Sequence, residues 1–276
     1  MAAILFLSAF LAPILFKFLP FKFERIFNRL VMIFSLAAVV FFVRIRKETI
    51  EKYGLFWRPE SGRHLALGFA AGLLTLLGVI AIKFAAGLAI WQPQNYSWLQ
   101  WLATFAKITA AAFLIALIEE FFFRGFIFSA LKNSRGLNPA VSMVLTSVFY
   151  SSLHFVSAKK PFIGPDPGFV DSLRLMSAPF ASLADFGAIW PAALGLFLFG
   201  LVLNSVSMRT RSLYPAIGLH AGAIFFVKLD GLFVDFLERH SLLLGTSKAY
   251  DGLLGWLFLL ILGGVLAIIF PKVERS

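Results

Sequence analysis

The chain has 276 residues, of which 60% are hydrophobic and only 14% carry a charged side chain, and its mean hydropathy is +0.87. So few charges cannot coat so much Leu, Phe, Ala and Ile, which excludes a soluble enzyme, a disordered chain and a nucleic-acid module, and points to a polytopic helical membrane protein. The net charge of +11 fits that class, because the basic residues stand between apolar runs, where they set topology and meet anionic headgroups. There is no Cys, so disulfides, thiolate metal sites and a Cys nucleophile are excluded.

In chain order, a first apolar segment covers about 2–19; it lacks a basic start and a small-residue cleavage site, and is expected to be retained. A second covers about 27–43 and is closed by Arg44, Arg46 and Lys47. A third runs from Leu65 to Ile90 and ends at Trp91-Gln92-Pro93. A fourth starts near Trp101 and continues to Leu131, long enough to cross a bilayer and emerge. The fifth, about 138–157, opens at Asn138-Pro139, with proline at the first helical position. After the loop at 161–168, an amphipathic stretch to Asp185 is expected at the interface. Segments six to eight cover about 186–207, 212–228 and 252–270, with a second interfacial stretch at Leu232–Leu244. The expected fold is all-α: a transmembrane bundle of about eight helices in one domain, 1–276, whose core is 101–228. Loop charges favour both termini on the cytoplasmic side.

Certain residues do not belong in such segments. Glu119, Glu120 and Arg124 are flanked by apolar turns, and a charge at the bilayer centre costs at least about 2.5–3.5 kcal/mol. Glu120 and Arg124 are spaced i,i+4 and share a face, whereas Glu119 is turned by about 100° and is able to face a cavity. The competing reading makes all three headgroup-level charges where segment four emerges. His154 lies late in segment five and His220 inside segment seven. Either alone suits a hydrogen-bonded packing role. Two intramembrane histidines with an acidic pair suit a pathway or a reaction centre. His64 and His240 are given no role. Asn204 suits helix packing, and Gly195, Gly200, Gly218 and Gly222 suit close helix approach.

Three stretches carry a family resemblance. Glu119-Glu120-Phe-Phe-Phe-Arg124 fits an EExxxR motif. Tyr150, four residues before His154, fits an aromatic-x-x-x-His motif, and Arg211 to His220 is similar to a third motif ending in Gly-x-His. Together they resemble the CPBP family: CAAX prenyl proteases and the bacteriocin-processing and self-immunity proteins of the Abi group. The resemblance implies an eight-helix intramembrane endopeptidase of the bacterial inner membrane, acting on a peptide or membrane-protein substrate. By that resemblance Glu119 activates water, His154 positions it, His220 stabilises the oxyanion, and Glu120 and Arg124 support the site. It implies no cofactor, with zinc on Glu119, His154 and His220 as the alternative. One position departs from the pattern: Ile224 stands where the third motif usually has Asn or a similar polar residue, which removes one oxyanion donor unless Asn204 replaces it. A non-catalytic immunity or scaffold protein and a proton-coupled transporter are the other two readings of the same residues.

Overall fold

The computed structural model describes residues 2–45, 47, 49–134, 136–155, 162–184, 186–237 and 241–272. Ten α-helices cover most of them: α1 (Ala2–Phe16), α2 (Phe23–Ile45), α3 (Ser61–Ala85), α4 (Trp98–Glu120), α5 (Ser129–Lys132), α6 (Pro139–His154), α7 (Phe169–Ala184), α8 (Phe186–Thr210), α9 (Tyr214–Phe233) and α10 (Gly252–Ile269). Among the described residues the one sheet is a two-stranded antiparallel ribbon, β1 (Ala89–Trp91) on β2 (Val234–Phe236), with Ile90 opposite Asp235. The all-α membrane class therefore holds.

Six helices among the described residues are long and apolar enough to cross a membrane: α2, α3, the continuous run Trp98–Lys132, α8, α9 and α10. The remaining two of the eight expected spans fall short. The first segment is a 15-residue helix and the fifth a 16-residue helix, each rising less than the roughly 30 Å of a hydrocarbon core. Pro139 does open α6, and the Asn138 carboxamide oxygen accepts the Val141 amide hydrogen at 2.8 Å. Ser97 and Gln100 form a reciprocal capping box that starts α4 three residues earlier than expected. The expected interfacial stretch before Asp185 is α7, while that at Leu232–Leu244 contains β2 instead of a helix. Residues 238–240 of that stretch, His240 among them, lie outside the described residues.

The chain divides into two compact units, residues 1–49 with 152–189, and residues 50–151 with 190–276. In the first, α1 packs on α2 and α7, burying Ala9 and Ala12 against Phe23, Ile26, Phe27 and Leu30. In the second, α9 packs on both α3 and α4. A methyl at Gly68 or Gly72 of α3 would collide with the backbone of Pro215 or Leu219, and one at Gly218 or Gly222 with that of Leu65 or Phe69. Both helices thus present a small-xxx-small face that lets their backbones touch.

Candidate active site

Gly218 and Gly222 turn one face of α9 toward α3. His220, two residues from each, is rotated by about 200° and points to the other side, where α4 lies. It meets the acidic pair there. The Glu120 Oε1 atom lies 2.8 Å from His220 Nδ1 and 3.0 Å from Arg124 Nη1. Neither the Glu120 nor the Arg124 side chain has any solvent exposure, and that of His220 has 5%. Glu119 has 31% of its side chain exposed, and its Oε2 lies 3.9 Å from His220 Nε2. The two carboxylates thus occupy different settings: one is fully buried and paired, and the other is partly exposed, with its Oε2 buried beside the imidazole.

The backbone changes pitch at this point. Phe121–Phe128, directly after Glu120, is wound as a π-helix before α5 resumes. Such widened turns are frequent at functional sites, and this one carries the buried Arg124. Arg124 Nη2 also donates to the Gly200 carbonyl of α8 at 3.4 Å, tying the π turn to a second helix. A buried guanidinium and carboxylate are tolerable only as a hydrogen-bonded pair. Glu120 Oε1 thus lies between Arg124 Nη1 and His220 Nδ1, and the imidazole turns its Nε2 to the remainder of the site.

At that Nε2 the structure adds a residue that the motif pattern treats only as an aromatic. The Tyr150 hydroxyl lies 3.4 Å from His220 Nε2, and the side chain is buried. Its ring lies 4.5 Å beneath the Arg124 guanidinium carbon and packs edge-on against Phe123 at 5.1 Å. The one sequence signal for this hydroxyl is the choice of Tyr four residues before a His. Asn204 is fully buried and spends its amide on the Met143 carbonyl at 3.2 Å and the Ser147 hydroxyl at 3.0 Å. With both amide hydrogens used to join α8 to α6, it has none left for an oxyanion. Ile224 stands one turn after His220 on α9, half-buried.

The second unit thus brings together Glu119, Glu120, Arg124 and His220, with Tyr150 between them and Asn204 behind. His154 is the last residue of α6, is exposed, and falls in the first unit. Among the described residues no group of three His, Asp or Glu side chains is placed to hold a metal ion.

Residues 98–226, a little under half of the chain, match the family model for Rce1-like type II CAAX prenyl endopeptidases. The likeness to the CAAX proteases read from the three motifs therefore holds over the stretch that carries them. No curated protein and no solved structure matches the chain.

Proposed function

On the family likeness carried by residues 98–226, we propose that this integral, multi-pass membrane protein is an endopeptidase that hydrolyses a peptide bond of a membrane-associated peptide or protein. The observation that carries the reading is the unequal pair: a partly exposed Glu119 next to a His220 that the buried Glu120–Arg124 pair holds by its far nitrogen.

In this reading Glu119 takes a proton from a water as its oxygen attacks the carbonyl carbon. The new C–O bond forms while the carbonyl π pair moves onto oxygen. His220 faces that oxyanion through Nε2, and Glu120 balances any positive charge gained by the ring. Glu119 then returns the proton to the leaving nitrogen as the C–N bond breaks, so acid and amine are released with no co-reactant. His154 is assigned to hold the water on the strength of the motif pattern. The wet chamber this needs inside a bilayer is favoured by ionisable side chains gathered on facing helices. The assignment to the bacterial inner membrane and the absence of a metal are parts of the same proposal. Zinc on Glu119, His154 and His220 is its alternative. A non-catalytic immunity or scaffold role is the second reading, and Ile224 is what favours it.

The test is cleavage of vesicle-anchored, dye-quenched peptides by the detergent-purified chain. Glu119→Gln is expected to lower kcat by at least about 10³-fold, since it removes the base while keeping the shape, and His154→Ala is expected to lower it as well. Prior dialysis against a chelator is expected to leave the rate unchanged. Cleavage that is equal in wild type and both variants would end the endopeptidase reading, and loss of the rate on dialysis would move it to zinc.

A further inference from the structure

We propose that the seam between α6 and α8 is a binding site for a short file of ordered water molecules, which completes the hydrogen bonding of the Arg124 guanidinium on the edge turned to α8.

The two helices meet along small polar side chains. The Ser151 hydroxyl donates to the Ala193 carbonyl at 2.7 Å, Asn204 reaches the Met143 carbonyl and the Ser147 hydroxyl, and a methyl on Gly200 would stand 3.1 Å from the Ser147 side chain. At about 100° per residue, Gly200, Asn204 and Ser207 fall within about 60° of one another, so a single stripe of α8 carries all three. Among the described residues, three polar atoms associated with this stripe are buried with no hydrogen-bond partner in the protein: Arg124 Nε, Asn204 Oδ1 and Ser207 Oγ. Their residues are 2%, 0% and 8% exposed. The Nε–H leaves the guanidinium on the same edge as Nη2, the nitrogen that reaches the Gly200 carbonyl, so it too is turned to α8.

Hydrocarbon offers such atoms nothing, since it neither donates nor accepts. A buried ion pair is sustained only when its remaining protons find acceptors, and the pairing with Glu120 uses Arg124 Nη1 alone. The three atoms differ in kind: Nε only donates, Asn204 Oδ1 only accepts, and the Ser207 hydroxyl does both. A metal ion would suit the two oxygens but be repelled by the guanidinium. An anion would suit the guanidinium but meet the lone pairs of Asn204 Oδ1. Water serves every one of them, and buried water ordinarily sits on polar groups that the chain itself leaves without a partner. From Gly200 to Thr210, the last residue of α8, the helix rises about 15 Å, a length that a few water molecules cover.

Ser207→Ala removes one hydroxyl and no hydrogen bond to the protein, so thermal unfolding in detergent separates a wet seam from a dry one. A dry seam would be relieved of an unpaired group and melt higher. A hydrated seam loses a bond to water, and the melting temperature is expected to fall by about 2–4 °C. The second measurement is X-ray radiolysis of the vesicle-reconstituted chain, in which bound water yields hydroxyl radicals that oxidise the side chains beside it. Leu203 is 0% exposed and lies one turn before Ser207. It is expected to be oxidised in wild type and to lose most of that label in Ser207→Ala. A melting temperature of Ser207→Ala that is unchanged or raised overturns the proposal. So does a Leu203 that stays unlabelled in wild type, or is labelled equally in the variant. Neither readout uses peptide cleavage, so this proposal and the endopeptidase reading stand or fall separately.

Discussion

One step along α4 separates Glu119 from Glu120, and the rotation of about 100° that comes with it divides two carboxylates into different jobs. Glu120 is turned into the bundle, where Arg124 one turn later and His220 on α9 both meet its Oε1. Glu119 is turned to a partly exposed face. The i,i+4 spacing makes the Glu120–Arg124 pair legible in the amino-acid string. The 2.8 Å contact with His220, a hundred residues away, is not legible there, because no local rule fixes which face of α9 meets α4. Glu120→Gln offers a test at this scale. The amide still fills the space but no longer attracts Nδ1–H by charge, so the imidazole loses its fixed tautomer. A fall in kcat of about 10²-fold or more is expected, with a melting temperature lowered by the uncompensated Arg124, measured in the same peptide assay and by thermal unfolding in detergent.

Helices in this chain are positioned by devices of two kinds, and only one is visible before folding. Spacing alone marks Gly218 and Gly222 as a close-approach pair. The partner, α3 with Gly68 and Gly72, is fixed by tertiary packing, since many glycines in the chain carry the same signal. The π-helical turn at Phe121–Phe128 leaves no mark in hydropathy at all, because FFFRGFIF reads as any apolar helix. Lys83 is a third case. It stands in the last turn of α3, where a lysine ordinarily extends toward a headgroup. Here it is 1% exposed and donates to the carbonyls of Thr246 at 2.6 Å and Lys248 at 2.8 Å, with Asp251 Oδ1 at 4.0 Å. It thereby fastens the loop that leads into α10, where Asp251 also accepts the Thr246 amide hydrogen. Lys83→Met removes the cation and strands a buried carboxylate and two carbonyls. A loss of about 3–5 kcal/mol is expected, read as a lower unfolding temperature of the detergent-solubilised protein.

At the scale of the molecule, composition is decisive and count is not. Six helices meet the length and apolarity of a membrane span, while α1 and α6, expected as spans, stop at 15 and 16 residues. Hydropathy windows merge a helix with the apolar residues that follow its end, which lengthened both. The expected consequence is plain: the protein stays in the membrane pellet through an alkaline carbonate wash and enters solution only with detergent, as quantitative blotting of the two fractions will show. Release by carbonate would contradict the membrane class itself.

Membrane residence, helical class and the three motif-bearing stretches were determined by the sequence alone, because they follow from local quantities: residue polarity, apolar run length and the spacing of a few ionisable groups. Tertiary structure decided which acid is fully buried and which is partly exposed, that His220 meets Glu120 through Nδ1, that Asn204 is a tie between helices, and that Tyr150 brings its hydroxyl to the imidazole. Each of these depends on contacts between residues far apart in the chain, and within a bilayer the faces that meet are chosen by close packing and polar satisfaction, which hydrophobicity does not encode.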